Sequence, residues 1–213
     1  MPDNCEENFH PSDPLYKKGL RIEYFNVSYN ILEAVAALLL GGIASSVALI
    51  GFGLDSIVES LSGIVLIWRL SKGRSLPKEK EEKIEERAQK FVAVTFFILG
   101  VYVFVQSVMT LLDGNPPEES IGGIILAILS LTIMPIVGNV KLKIGKQLNS
   151  RALIADAKET FACAFLSVAL LLGLAANYFW GFWQADPLAG FVIVYYLIKE
   201  GKENWEGECG CHT

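Results

Sequence analysis

Residues 47–68 read VALIGFGLDSIVESLSGIVLIW and are apolar enough to cross a lipid bilayer as one helix. Two acidic residues, Asp55 and Glu59, nevertheless lie within this segment, four positions apart. Residues at this spacing share one face of an α-helix. An acidic side chain at the centre of a membrane helix costs about 2.5–3.5 kcal/mol on insertion scales, so two on one face indicate a function. Divalent cations favour carboxylate oxygens, and the pair therefore predicts an ion or proton site.

The composition is that of a helical membrane protein. Of 213 residues, 52% are hydrophobic and 19% are charged, whereas soluble domains have about 25% charged residues. Residues 91–112, 120–140 and 160–185 contain no charged side chain. Each of these segments is about long enough to cross ~30 Å of hydrocarbon as a helix. No segment alternates as the strands of a membrane β-barrel do, so we expect helices only.

Several other classes of protein are not expected. One of the four cysteines falls in an apolar segment and three fall near the ends of the chain, which is not a disulfide framework. Residues 1–22 are polar and acidic and do not form a signal peptide. The basic residues have no interleaved aromatic residues, so we expect no nucleic-acid partner. No span holds a serine–histidine or paired-aspartate motif, and we predict neither an enzyme nor a prosthetic group.

The sequence predicts an all-α membrane protein with six transmembrane helices. We expect a cytosolic tail at residues 1–22, a transmembrane domain at residues 23–201 and a second cytosolic tail at residues 202–213. A tight reversal at Gly51 and Gly53 would separate the first two spans. The predicted spans cover about residues 23–50, 54–69, 91–112, 120–140, 150–176 and 184–200. Residues 71–90 form a charged cytosolic loop that we expect to extend the third span as a solvated helix, and residues 141–151 form a basic loop.

The basic residues predict the orientation of the chain. All 18 Lys and Arg fall in the tails, in the loops 69–90 and 141–151, or in the first turns of a span from that side. The opposite loops contain none. Because Lys and Arg accumulate in cytosolic loops, both termini are predicted to be cytosolic. We expect the protein in the plasma or inner membrane.

The depth of the acids in spans two and five predicts a shared site. Counted from the cytosolic ends of the two spans at 1.5 Å per residue, Glu59 and Glu159 lie roughly 15 and 12 Å deep. Asp55 and Cys163 lie roughly 21 and 18 Å deep on the same count. Two pairs at i,i+4 spacing would therefore meet at one level of the membrane. We predict that these four side chains bind a metal ion.

Three alternatives remain open at this site. Asp156 shares the face of Glu159 one turn nearer the cytosol and is a candidate for a secondary metal or proton site. Lys158 could pair with an acid of span two, although one lysine cannot neutralise four acids. Cys163 taken alone is better explained as a small buried apolar side chain, and its alignment with three acids makes the two explanations about equal.

Longer runs of the sequence resemble a known family. NILEAVAALLLGGIASSVALIGFGLDSIVES is similar to the first two spans of cation diffusion facilitators, the divalent-metal efflux family. NSRALIADAKETFACAFLSVALL resembles the fifth span of that family and ADPLAGFVIVYYLIKEG the sixth. The resemblance implies six helices, cytosolic termini, a homodimer and a transport site made by spans two and five. The implied ligands are Asp55, Glu59, Glu159 and Cys163.

The sequence departs from the family in two respects. No histidine lies in any span; three carboxylates suit manganese, iron or cobalt, whereas a thiolate favours zinc. The usual cytosolic metal-binding domain has no counterpart here, so we expect a short form of the family. Three soft ligands near the end of the chain are candidates for a secondary metal site, or are incidental to a disordered terminus: Cys209, Cys211 and His212.

The sequence therefore predicts a transporter that exports a divalent transition metal, of the zinc, manganese, iron or cobalt class, by proton antiport. The metal is the substrate, and the predicted partners are protons, the lipid bilayer and a second copy of the chain. Two alternatives are kept. The protein could carry another cation, or it could be an intramembrane metal sensor or assembly partner.

Overall fold

The computed structural model describes residues 14–72, 78–114, 118–148 and 150–206. These ranges contain no β-strand, and the prediction of an all-α protein with six helices is confirmed. In chain order the helices are α1 (Pro14–Ala44), α2 (Val47–Lys72), α3 (Lys78–Asp113), α4 (Ile121–Gln147), α5 (Arg151–Trp180) and α6 (Ala185–Glu206).

Five of the helices are long and apolar enough to cross a membrane, namely all except α6. Helix α6 has 22 residues but carries Asp186, Lys199 and Glu200, which make it more polar than the others. It packs against α3, α5 and α2 and so belongs to the same bundle. Large apolar side chains cover the outside of the bundle, as expected for a surface in contact with lipid.

The helices pack as three antiparallel pairs, α1 with α2, α4 with α5 and α3 with α6, and α2 also contacts α5. The start of α1, the end of α2 and the turn between α4 and α5 share one apolar cluster, which includes Leu15, Leu70 and Leu148. We call this the basic end of the bundle. At the opposite end, the Glu118 N–H donates to the Ala44 carbonyl at 2.8 Å, which brings the α3–α4 loop against the end of α1.

The predicted reversal at Gly51 and Gly53 is wrong, because both glycines lie inside α2. The chain turns instead at Ser45, which has a left-handed φ of 53°. The Ser46 N–H donates to the Gly41 carbonyl at 3.0 Å and closes the end of α1. A Cβ at Gly41 would lie 2.9 Å from the Ile50 side chain, so glycine allows the two helices to meet this closely.

The predicted basic loop at residues 141–151 is also wrong, because α4 continues to Gln147. Its turn into α5 repeats the geometry of the α1–α2 turn at the other end of the bundle. The Ser150 N–H donates to the Gly145 carbonyl at 2.9 Å. The Ser150 hydroxyl then accepts from the Leu153 N–H at 3.4 Å and caps α5. The sequence analysis took the lysines at the end of α4 for part of a basic loop.

Other predicted boundaries shift as well. Helix α1 begins at Pro14, so the second half of the predicted tail 1–22 is helical. Helix α3 begins at Lys78, which confirms a helical extension in the charged segment 71–90. Helix α6 continues to Glu206, into the predicted tail 202–213. The candidate ligands of that tail fall outside the described residues: Cys209, Cys211 and His212.

Candidate functional site

Helix α2 carries its two acids on a buried face. Asp55 is 8% exposed and Glu59 is 4% exposed. The serines beside them are accommodated within the helix, because the hydroxyls of Ser56 and Ser60 donate to carbonyls four residues earlier at 3.1 and 2.8 Å. The helix thus buries a polar stripe without breaking its own backbone hydrogen bonds.

Four acids from three helices line one small cavity of about 10 Å³, which is room for about one water molecule. Asp55 and Glu59 come from α2, Glu159 from α5 and Glu200 from α6. The remaining lining residues are Phe96, Ala162 and Tyr196. The cavity therefore brings together three of the four residues that the sequence predicts as metal ligands, and it adds Glu200.

Cys163, the fourth predicted ligand, does not line this cavity. Its side chain is 1% exposed, and its Sγ atom lies 3.9 Å from Glu33 Oε2 on α1. Within the described ranges, no three His, Cys, Asp or Glu side chains are arranged to hold a metal ion as they stand. The acids surround the cavity, and binding a metal there requires their side chains to converge.

Glu59 is held in place by donors from both neighbouring helices. Asn26 Nδ2 of α1 donates to Glu59 Oε1 at 3.2 Å, and Thr160 Oγ1 of α5 donates to the same oxygen at 2.9 Å. Glu59 Oε2 and Glu159 Oε2 are buried and have no hydrogen-bond partner in the structure. These two oxygens are therefore available to a cation or a proton.

Asp156 belongs to a separate group, which we call the lysine cluster: Glu23, Lys141 and Asp156. Lys141 is fully buried and forms ion pairs with Asp156 and with Glu23, the latter at 3.2 Å. Its Nζ also donates to Thr160 Oγ1 at 3.2 Å. The sequence offered Lys158 as one possible basic partner of the acids; Lys158 is exposed, and the lysine that is buried among acids is Lys141.

The sequence analysis assigned no role to Glu200 or to the polar face of α1. That face consists of four buried polar residues, Glu23, Asn26, Asn30 and Glu33, spaced three or four positions apart. This spacing places them on one side of a helix. The same argument that identified Asp55 and Glu59 would have found them.

Comparison with known proteins assigns the family. Residues 24–204 match the cation efflux transmembrane domain. The chain belongs to the cation efflux family. This confirms the resemblance seen in the sequence, and a family of transporters agrees with the expectation that the chain is not an enzyme.

This cation efflux chain is similar in sequence to several known proteins, three of which are described here. An uncharacterized transporter of Methanocaldococcus jannaschii is 27% identical over 80% of the chain and 61% of its own length. The magnetosome protein MamB of Magnetospira is 27% identical over 82% and 60%. The manganese efflux system protein MneP of Bacillus subtilis is 21% identical over 82% and 62%. The chain thus spans about six-tenths of the length of these relatives.

Proposed function

We propose that this protein transports a divalent transition-metal cation across a membrane in exchange for protons. The observation that carries the proposal is the cavity lined by Asp55, Glu59, Glu159 and Glu200. Acids from three helices on one internal cavity are costly in a membrane unless a cation or protons neutralise them. Membership of the cation efflux family supports the same function.

The ligands that face the cavity favour the harder metals. All four acidic groups there are carboxyl groups, and Cys163 does not line the cavity. Carboxylate oxygens suit manganese and iron, whereas zinc gains more from a thiolate or an imidazole. The name of the manganese efflux relative supports this choice. We therefore propose manganese, iron or cobalt ahead of zinc at the cavity.

Exchange for protons follows from the chemistry of the same groups. Carboxylates must be deprotonated to bind a metal, so binding releases the protons that occupy the empty site. The partnerless oxygens of Glu59 and Glu159 are suited to hold either species. One cavity can then carry metal in one direction and protons in the other by alternating access.

The orientation and assembly of the protein are parts of this proposal. The basic end of the bundle would face the cytosol, as the distribution of Lys and Arg predicts. Metal would then leave the cell, and we propose a homodimer in the plasma or inner membrane. Reporter fusions at residue 116 and at residue 213 test the orientation, which an external signal from residue 213 would contradict.

Flux measured with the purified protein tests the function. Proteoliposomes with an imposed pH gradient are supplied with manganese, iron(II), cobalt and zinc in turn, and the movement of metal and protons is followed. We expect metal-dependent proton movement that Glu159→Gln abolishes. Asp113→Asn is the matched control, because Asp113 is exposed at the end of α3. Metal binding without flux would contradict transport and favour a sensor or assembly partner.

A further inference from the structure

Only one of the two carboxyl oxygens of Glu59 is open to a metal ion. Asn26 Nδ2 of α1 and Thr160 Oγ1 of α5 both donate to Glu59 Oε1, at 3.2 and 2.9 Å. Glu59 Oε2 is buried and has no hydrogen-bond partner in the structure. Each oxygen of an ionised carboxyl group has about two lone pairs, so the two donors occupy Oε1. A metal ion at Glu59 would therefore bind through Oε2.

The chemistry of the two donors fixes this arrangement. The amide of Asn26 must turn its nitrogen to Glu59, because its oxygen and the carboxylate are both acceptors. Lys141 Nζ can only donate and lies 3.2 Å from Thr160 Oγ1, so the threonine accepts from Lys141 and keeps its own proton to donate. That proton can reach Glu59 Oε1 or the Asp156 carbonyl at 3.1 Å, and the charged acceptor forms the stronger bond.

A cavity lined with carboxyl groups does not by itself distinguish a transition metal from calcium, which also prefers carboxylate oxygens. Calcium differs in the number of oxygens that it needs. It takes about six to eight at 2.3–2.6 Å and often uses both oxygens of one carboxylate. The cavity has a volume of about 10 Å³, so it offers little room for water to replace a missing carboxylate oxygen.

We propose that Asn26 and Thr160 determine the metal specificity of the cavity by holding Glu59 to a single metal–oxygen bond. The inference rests on the proposed function, because it concerns the metal bound among the cavity acids. Both are positioning residues, which act through Glu59 and do not touch the metal. Calcium loses a ligand oxygen that it would otherwise take from Glu59. Manganese needs fewer oxygens and binds Oε2 alone, so the arrangement favours manganese over calcium.

Competition between manganese and calcium for the purified full chain in detergent tests this inference. Free manganese is followed by its electron paramagnetic resonance signal, which is lost on binding. Thr160→Val keeps the shape of the side chain but removes the donor, and we expect manganese affinity to fall about 10–100-fold, the usual effect of losing an outer-shell partner. Calcium affinity should fall less, because the freed Oε1 offers calcium a second bond. The ratio of the two affinities therefore shifts severalfold toward calcium.

Two further variants show whether the donor itself is responsible. Thr160→Ser keeps the hydroxyl, and it should keep the wild-type ratio of manganese to calcium affinity. Asn26→Leu removes the other donor to Oε1 and should shift the ratio in the same direction as Thr160→Val. It decides the question if Thr160→Val does not fold, which gel filtration of each variant establishes.

Ser167→Ala is the matched control. Ser167 is fully buried on α5 and, like Thr160, donates to a carbonyl four residues earlier, at 2.8 Å. Its hydroxyl also donates to Ser130 of α4 at 2.9 Å. This variant should lower stability and leave the affinity ratio unchanged. An equal shift in Ser167→Ala, or an unchanged ratio in folded Thr160→Val or Asn26→Leu, would overturn the inference.

These results would leave the proposed transport intact. The proposed function fails separately, and this inference with it, if the wild-type protein neither binds manganese nor moves it across a membrane.

Discussion

The lysine cluster and the acid-lined cavity both bury carboxyl groups, yet they neutralise them differently. In the lysine cluster, the ammonium group of Lys141 lies between Glu23 and Asp156, and all three side chains are almost fully buried. In the cavity, no lysine or arginine side chain that the structure describes forms an ion pair with Asp55 or Glu159. The first group has a cation built into the chain, whereas Asp55 and Glu159 of the second can be neutralised by protons or by a cation from outside. Under the proposed function, this difference separates acids that hold the bundle together from acids that would bind the metal.

Thr160 connects the two groups. Its hydroxyl accepts from Lys141 Nζ at 3.2 Å and lies 2.9 Å from Glu59 Oε1. It also lies 3.1 Å from the Asp156 carbonyl, so its single proton is shared between two acceptors. Thr160 therefore lies between the lysine cluster and the acid-lined cavity, and substitutions in these two groups should give different results.

The largest expected effect separates two aspartates of similar burial. Asp55→Asn removes a cavity acid, and we expect metal flux to fall by more than the roughly 10–100-fold that loss of an outer-shell partner costs in metal affinity. Asp156→Asn should leave most of the flux of each folded molecule and lower stability instead. Proteoliposome flux and unfolding in detergent measure the two effects. If Asp156→Asn alone abolishes flux, the division between the two groups is wrong.

Lys141→Met should lower the stability of the protein more than it alters the cavity. It leaves Glu23 and Asp156 buried without their cation, and breaking a buried pair in this way costs about 3–5 kcal/mol. The triple variant Lys141→Met/Glu23→Gln/Asp156→Asn removes all the charges together and should recover much of that loss. The measurement is reversible unfolding in mixed detergents. A stable single variant would mean that the lysine is not needed to neutralise these acids.

Thr160→Val tests the connection between the two groups, and it should lower stability less than Lys141→Met does. The substitution keeps the shape of the side chain but removes a partner from Lys141 and from Glu59, which costs about 1–3 kcal/mol when buried groups lose a hydrogen bond. Thr132→Val is the matched control, because the Thr132 hydroxyl is exposed and donates only to its own helix. Equal stability of the two variants would argue against a connection through Thr160.

Of the four substitutions Asp55→Asn, Lys141→Met, Thr160→Val and Glu200→Gln, the last should have the smallest effect. Glu200 lies near the end of α6 and is only partly buried, so a water molecule can replace it beside the metal. We expect flux to fall severalfold, less than for Asp55→Asn, with unchanged stability. A loss as complete as that of Asp55→Asn would make Glu200 a full member of the metal site.

The sequence predicted what depends on helical periodicity. The apolar segments gave six helices, and the four-residue spacing of Asp55 and Glu59 placed both on the buried face that lines the cavity. The depth count also brought Glu159 of α5 to the same cavity. Each of these predictions needs only the rise and the repeat of an α-helix.

The predictions that failed depend on the rotation of one helix against another. Cys163 lies one turn beyond Glu159 on α5, but its side chain points to Glu33 on α1, and no count along α5 can give that direction. Lys141 looked like a loop residue because a lysine is rarely buried unless acids from other helices accompany it. Those acids, Glu23 and Asp156, are distant in sequence and become neighbours only in the folded bundle.

Asp186 anchors one end of α6. At the end opposite the basic end, its carboxylate accepts from the Ser46 hydroxyl and from the Val47 N–H at 3.0 Å, which ties the start of α6 to the start of α2. Glu200 is 14 residues further along α6, about 21 Å away at 1.5 Å per residue. A tilt of α6 by about 10° around this anchor would move the Glu200 backbone by about 4 Å over that length. Glu200, which lines the cavity, lies far from this anchor, so a change in the tilt of α6 displaces it more than it displaces the residues near Asp186.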